Sequence, residues 1–377
     1  MNRRLTILGA PSLVVVLWIV VAIACWPNLK ASAMTQAKSD PVLGERIAKG
    51  IVFKGRLWLR GTMATHKDPS GALVSVSLEN QQRKVYFEQG VLDIEKFNGN
   101  LWVLRRVPTK HREFVVSAWR DGAIFDDVAK FELSEKDEPI AFLHAAGFPV
   151  VLSKRTVHAL GPDTVPWRVT ELKGELRSGV QVSAASPEDG ESAYVGFNVG
   201  EWGWGLQQVD FQTGAVTDIE RRDTKQACAG PLNSACDPVT GVIADPQNKH
   251  CVLVSTGLVH MFHSEGRILR VCGQDVSLVS KLTMPEPEGK FEQTEAFYGL
   301  APSDDGGFWA ITWRALYRFE ADGVRKKEYA LPKLKPVSGV YLSRELPGAI
   351  IVRTDMNWAV STSGYTPLVV PLEGSLP

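Results

Sequence analysis

Two tryptophans flanked by glycines, in Gly200-Glu-Trp-Gly-Trp-Gly205, carry the clearest recognition chemistry in the chain. Flat indoles on a permissive backbone suit stacking against a sugar ring or an apolar side chain, and Glu201 can accept hydrogen bonds from hydroxyls. The competing reading folds Trp202 and Trp204 back into the core, the commoner use of tryptophan, with the glycines relieving a bend. Two dipeptides, Trp119-Arg120 and Trp313-Arg314, offer either ligand contacts or arginine stacked on tryptophan as packing.

The remaining reactive residues are less specific. His260 and His263 form an H-x-x-H, but on one strand that spacing sends the rings to opposite faces, so no metal pair is expected. Asp126-Asp127 and Asp304-Asp305 fall at expected turns, where aspartate shapes the backbone without catalytic duty. No Gly-x-Ser-x-Gly, phosphate-binding loop or dinucleotide fingerprint occurs, and neither metal nor cofactor is expected. Cys228, Cys236, Cys251 and Cys272 contain no C-x-x-C, and an even number of them points to disulfides in an oxidising compartment. Cys228 and Cys236 enclose a short Gly/Pro/Asn loop and are expected to pair. Cys251 should open one strand and Cys272 close another at the opposite end of the same sheet. That is too far for a bond, so their pairing stays open.

Compartment is also written at the N-terminus. Asn2-Arg3-Arg4 precedes an apolar run, Leu5 to Trp26, of 22 residues. A basic head before an apolar stretch is the pattern of an export signal, and Ala31-Ser32-Ala33 is an A-x-A cleavage site. The run is also long enough to span a bilayer, which leans toward an uncleaved anchor. Residues 1–33 are therefore a signal peptide or anchor, 34–50 a polar tether and 51–377 an extracytoplasmic body, periplasmic or secreted. With 42 basic and 42 acidic side chains, nothing drives the counterion release on which nucleic-acid binding depends. The membrane enters only through the N-terminal segment.

Short apolar runs rich in Val, Ile, Phe, Tyr and Trp recur from residue 51 onward, with Gly, Pro, Asp and Asn between them. No long stretch has helical periodicity, so an all-β domain is expected. One unit repeats: strand, tight turn, strand, glycine. It is clearest in Phe308–Gly323 and Cys251–Gly266, with a longer turn in Tyr194–Gly214, and again in Ile350–Thr354 with Trp358–Gly364. The closing glycines 214, 266, 323 and 364 are spaced by 52, 57 and 41 residues. Earlier copies are Leu73–Leu78 with Val85–Gly90, Phe114–Trp119 with Ala123–Asp126, and Val150–Ser153 with Val157–Gly161. Each unit, flanked by one strand on either side, makes a four-stranded sheet. Seven of them give a seven-bladed β-propeller, with six or eight blades as alternatives.

Gly299-Leu-Ala-Pro-Ser-Asp-Asp-Gly-Gly-Phe-Trp-Ala-Ile-Thr with Leu316-Tyr-Arg-Phe resembles the repeat of two-component-regulator-type propellers. Val242-Ile-Ala-Asp-Pro-Gln-Asn with Val252-Leu-Val-Ser-Thr-Gly resembles the sialidase-like and sortilin-type repeats. Each match covers about one blade, and the sialidase Asp-box is intact nowhere, so the resemblance implies a fold and no catalytic residues.

In this register the links between second and third strands, and between sheets, share one face. Gly200–Gly205, the crossing Arg222–Pro238 and the crossing Gly273–Glu295 are the long ones, on neighbouring blades four to six. Long loops are more often functional than short ones. The expectation is an exported binding propeller that uses this face for a protein or glycan partner. The alternative is a propeller lyase, hydrolase or lactonase with an axial active site.

Overall fold

The computed structural model describes residues 46–371 apart from 63–69, 78, 81, 120–123, 161–167, 179–180, 226–227, 261–262, 285–292, 304, 313, 331–336, 344–348 and 355–367, with backbone only beyond Ala330. Its strands are ordered along the chain. The first sheet runs β1 (Arg46–Phe53), β2 (Arg56–Thr62), β3 (Gly71–Ser77), β4 (Arg83–Phe97), β5 (Asn100–Val107), β6 (Lys110–Trp119), β7 (Asp126–Glu132). Next come β8 (Pro139–Ala145), β9 (Phe148–Ser153), β10 (Thr156–Ala159) and β11 (Arg168–Glu171), then β12 (Gln181–Ala185), β13 (Ser192–Asn198), β14 (Leu206–Asp210) and β15 (Val216–Ile219). A further quartet holds β16 (Val239–Ala244), β17 (Cys251–His260), β18 (His263–Cys272) and β19 (Asp275–Ser280). Another holds β20 (Gly299–Pro302), β21 (Phe308–Ile311), β22 (Ala315–Phe319) and β23 (Arg325–Ala330), and β24 (Val337–Ser343), β25 (Ala349–Thr354) and β26 (Leu368–Pro371) form the last sheet.

The first sheet is two quartets sharing one strand. Arg83 to Phe87 of β4 pair with β3, and Val91 to Phe97 pair with β5. Gly90 sits at the changeover with φ +85°, where an added Cβ would lie 2.7 Å from the Arg106 carbonyl oxygen. The opening strands of successive quartets touch in order: β1 with β4, then β4 with β8, β8 with β12, β12 with β16, β16 with β20, β20 with β24, and β24 with β1. Strands thus radiate from an axis ringed by these opening strands. The fold is a β-propeller.

The strands read as they do because each sheet is packed on both sides. Phe308–Ile311 and Ala315–Phe319 are buried throughout, as near-continuous apolar runs must be when both faces are covered. The outer strand β23, Arg-Lys-Lys-Glu-Tyr-Ala, is almost wholly exposed, and its charges protect an open sheet edge. The core is correspondingly divided into layers. Phe97, Trp102 and Phe114 meet Phe142 and Val151 in one, and Ile243 and Leu253 meet Phe308 and Tyr317 in another.

Four antiparallel strands return the chain to the end at which it started. Every quartet therefore begins on one face, here the entry face, which also receives the chain at Arg46. It carries the links between second and third strands and those between sheets.

Several expectations need correction. Residues 46–50 belong to β1 rather than to the tether, and β1 with β2 forms a hairpin ahead of the first expected unit. Leu73–Leu78 with Val85–Gly90 therefore lies one strand further out. Phe114–Trp119 is likewise a third strand, because β4 runs on with no polar turn to mark the new quartet. Trp119 consequently ends at the face opposite the entry face. In β17 the chain passes straight through Ser255-Thr256-Gly257 and turns only after His260. Cys272 then closes the neighbouring strand, directly opposite Cys251, and the two are bonded with Cα atoms 4.4 Å apart. Likewise His260 and His263 face one another as a cross-strand pair instead of sharing one strand. Trp358–Gly364 lies outside the described residues.

Candidate functional site

The link from β13 to β14 supplies the tryptophans. Asn198 accepts the Gly200 amide at 2.8 Å, a single 3-10 turn covers Gly200–Trp202, and the Gly203 amide returns to the Gly200 carbonyl at 3.1 Å. Gly203 has φ +69°, and a Cβ there would come within 2.6 Å of the Cys236 amide nitrogen, so only glycine lets this loop sit down on its neighbour. Trp204 itself adopts φ +93°, a conformation costly for a bulky residue that its surroundings must enforce. They do so from both sides. Its amide donates to the Ser234 carbonyl and the Arg177 guanidinium donates to its own carbonyl, each at 2.7 Å. The result is a fixed backbone with both rings outward: Trp202 is 68% exposed and Trp204 38% exposed. The fold-back reading is not what this chain does.

The platform beneath is the link from β15 to β16. Cys228 and Cys236 are disulfide-bonded across it. Leu232 is fully buried, Asn233 and Asp237 exchange hydrogen bonds of 2.6 and 2.8 Å, and Ser234 donates to Glu220. Arg267 on β18 reaches the Asp237 carboxylate at 2.7 Å, the Glu265 carboxylate at 2.7 Å and the Gly230 carbonyl at 3.0 Å. Burial pushes the Asp237 carboxyl up to about 6 even with Arg267 opposing the shift. The link from β19 to β20 adjoins it, with Thr294 and Ser264 bonded at 2.8 Å. The three long connections thus share the entry face, and the last begins after Ser280 because β19 occupies Asp275–Ser280.

A recurring device shows where this face departs from its own repeat. In three quartets an acid just ahead of the first strand holds the second or third strand of the same sheet. Asp137 accepts from Ser153 at 2.7 Å, Asp237 holds Arg267, and Glu295 accepts from Thr312 at 2.8 Å and from Tyr317 at 3.0 Å. In the quartet β12–β15 the connection ahead of β12 brings Arg177 instead. Its guanidinium turns to the Trp204 carbonyl and to Asp218 at 2.7 Å, and Gln207 joins Asp218 at 2.9 Å. Arg177, Gln207 and Asp218 had no sequence signal. They lie on three separate elements and form no motif.

The other candidates divide. Trp119 is buried against Phe53 and Trp58, on the opposite side of the ring from the tryptophan loop, so it is a core residue. Arg120 and Trp313 lie outside the described residues. Arg314 is on the entry face and pairs with Glu295 at 3.4 Å. Glu201 is exposed beside Trp202. Among the described residues no group of three or more His, Cys, Asp or Glu side chains is placed to hold a metal ion. A separate open groove of about 900 Å³ lies at the rim between β7 and β10–β11. Among its lining residues His158 lies against Phe131 in a tilted pair with centroids 4.4 Å apart, and burial lowers the imidazole to about 4.

No protein-family model and no curated protein matches the chain. Solved structures do. A streptogramin B lyase is similar with 14% identity and a TM-score of 0.52, over 84% of this chain and 92% of that one. The extracellular domain assigned to a hybrid two-component system, BT4673 from B. thetaiotaomicron, is similar with 11% identity and a TM-score of 0.50, over 89% of this chain and 39% of that one. At such identities the likeness is one of fold. The chain is a β-propeller repeat protein, all-β and held by two disulfides.

Proposed function

We propose that this protein is an exported recognition propeller that captures a protein or glycan partner on the entry face, through the loop carrying Trp202 and Trp204. The observation that carries this reading is the Trp202 indole, 68% exposed, in a loop whose Trp204 backbone is held from two sides. Exposed large aromatics on a preorganised loop are the groups that dominate recognition surfaces, since little conformational freedom is lost on binding. The propeller is taken as seven-bladed, six quartets and a last sheet of three described strands. Export rests on the basic-then-apolar N-terminus, and the two disulfides fit an oxidising compartment. Residues 1–33 serve as signal or anchor; among the described residues no helix is long and apolar enough to cross a membrane.

The test is a Trp202→Ala/Trp204→Ala variant of the full chain, compared in pull-down from an extracytoplasmic fraction and on a glycan array. It folds with both disulfides intact and loses partner capture. Capture equal to that of the parent chain would reject the site.

A further inference from the structure

Resting on that recognition reading, we infer that the partner is a neutral oligosaccharide, bound with one pyranose ring on the Trp202 indole and its hydroxyls on Arg177 and Asp218. Three observations converge. Among the described residues no aromatic ring or cation is packed on Trp202, so its indole is open to the C–H face of a sugar, the apolar side of an otherwise polar ligand. The same loop carries a donor–acceptor pair of fixed geometry at its Trp204 end. The Arg177 guanidinium and the Asp218 carboxylate are 2.7 Å apart, and Arg177 is tied to the tryptophan loop through the Trp204 carbonyl. Vicinal hydroxyls, each both donor and acceptor, match such a pair. Asp218 already accepts from Gln207 and is 48% exposed, leaving carboxylate lone pairs directed to solvent.

Charge selects among sugars. Asp218 neutralises Arg177, so a uronic or sialic acid meets no uncompensated cation at this pair. The same surface is poorly made for a protein partner. Among the described residues the other exposed large apolar side chains, Ile124, Val169, Val259, Leu278 and Val324, lie on separate elements and not on the tryptophan loop.

The experiment titrates the full-length chain with β-1,4-glucose, β-1,4-N-acetylglucosamine and α-mannose hexamers and with a hexagalacturonate, read by calorimetry and tryptophan emission. At least one neutral hexamer binds saturably and shifts the emission. Trp202→Ala weakens it by about tenfold or more and Trp202→Phe by less, with circular dichroism unchanged. Asp218→Asn weakens it as well. The inference is overturned if no neutral hexamer binds up to about 10 mM, if Trp202→Ala binds as the parent does, or if the acidic hexamer is preferred. Should the two tryptophans govern capture of a protein while no saccharide binds, the carbohydrate inference falls and the recognition reading stands. Should neither saccharide binding nor capture depend on them, both fall.

Discussion

Two buried titratable side chains bend the stability of this propeller in opposite directions over the same pH range. Asp237 has its folded value raised to about 6 by burial, so the native state binds a proton that the unfolded chain releases nearer 4. Its contribution is present below pH 4 and lost as pH rises through 6, up to about 3 kcal/mol. His158, at about 4 when folded, works the other way: the native state refuses a proton that the unfolded chain takes up near 6.5. That stability is present above pH 6.5 and lost as pH falls toward 4, again by up to about 3 kcal/mol. Urea midpoints between pH 4 and 7 check both. Relative to Asp237→Asn the parent loses stability as pH rises, and relative to His158→Gln it gains. Neither residue stood out in the sequence, since burial is a property of the assembled sheets. Trp202 and Trp204 did stand out, through their glycines, but the sequence left open which way the rings point. The bonds from Ser234 and Arg177 fix the Trp204 backbone, and they come from 30 and 27 residues away.

At the scale of the hairpin, the two disulfides do different work. Cys251–Cys272 spans 21 residues but joins strands already paired over ten successive positions. Replacing both cysteines with serine should cost about 2–3 kcal/mol, measured as a lower denaturation midpoint with sugar or partner binding retained. Cys228–Cys236 spans 8 residues in a loop that no sheet organises, and Ser234 inside it holds Trp204 in place. Its serine variant should lose binding more than stability, with the midpoint moving by about 2 kcal/mol or less and affinity falling several-fold. The short loop was legible because its cysteines are close in sequence. The longer pairing was not, because Ser255-Thr256-Gly257 has the composition of a turn and the chain runs through it as strand. A similar lack of punctuation inside β4 displaced the first two units by one strand, whereas Tyr194–Gly214 and Phe308–Gly323, closed by Gly turns, kept their register.

For the whole ring, stability is a property of neighbours. Each apolar layer belongs to two adjacent sheets, so no sheet can be lost from the end without uncovering two others. Truncation after Ala330 removes β24–β26 and bares β1 and β20. The truncated chain should aggregate or run as a broad species in size-exclusion chromatography, while the parent runs as one sharp peak. The repeat itself was the most legible feature of this molecule, because turn glycines at blade-like intervals survive even where strand boundaries blur.

The even number of strands in each quartet has a consequence for traffic at a surface. It delivers the chain to β1 on the same side as the tryptophan loop, so any attachment through the N-terminus works as a leash clipped to the working side of the disc. Between Trp26 and Arg46 there are 19 residues, a reach of at most about 70 Å when fully extended. Were residues 5–26 to hold the chain in a bilayer, the tryptophan loop would be on the tethered side of the disc. Partners standing on that same bilayer would meet the loop at an effective concentration near the millimolar range, while soluble ones would have to enter the gap from the side.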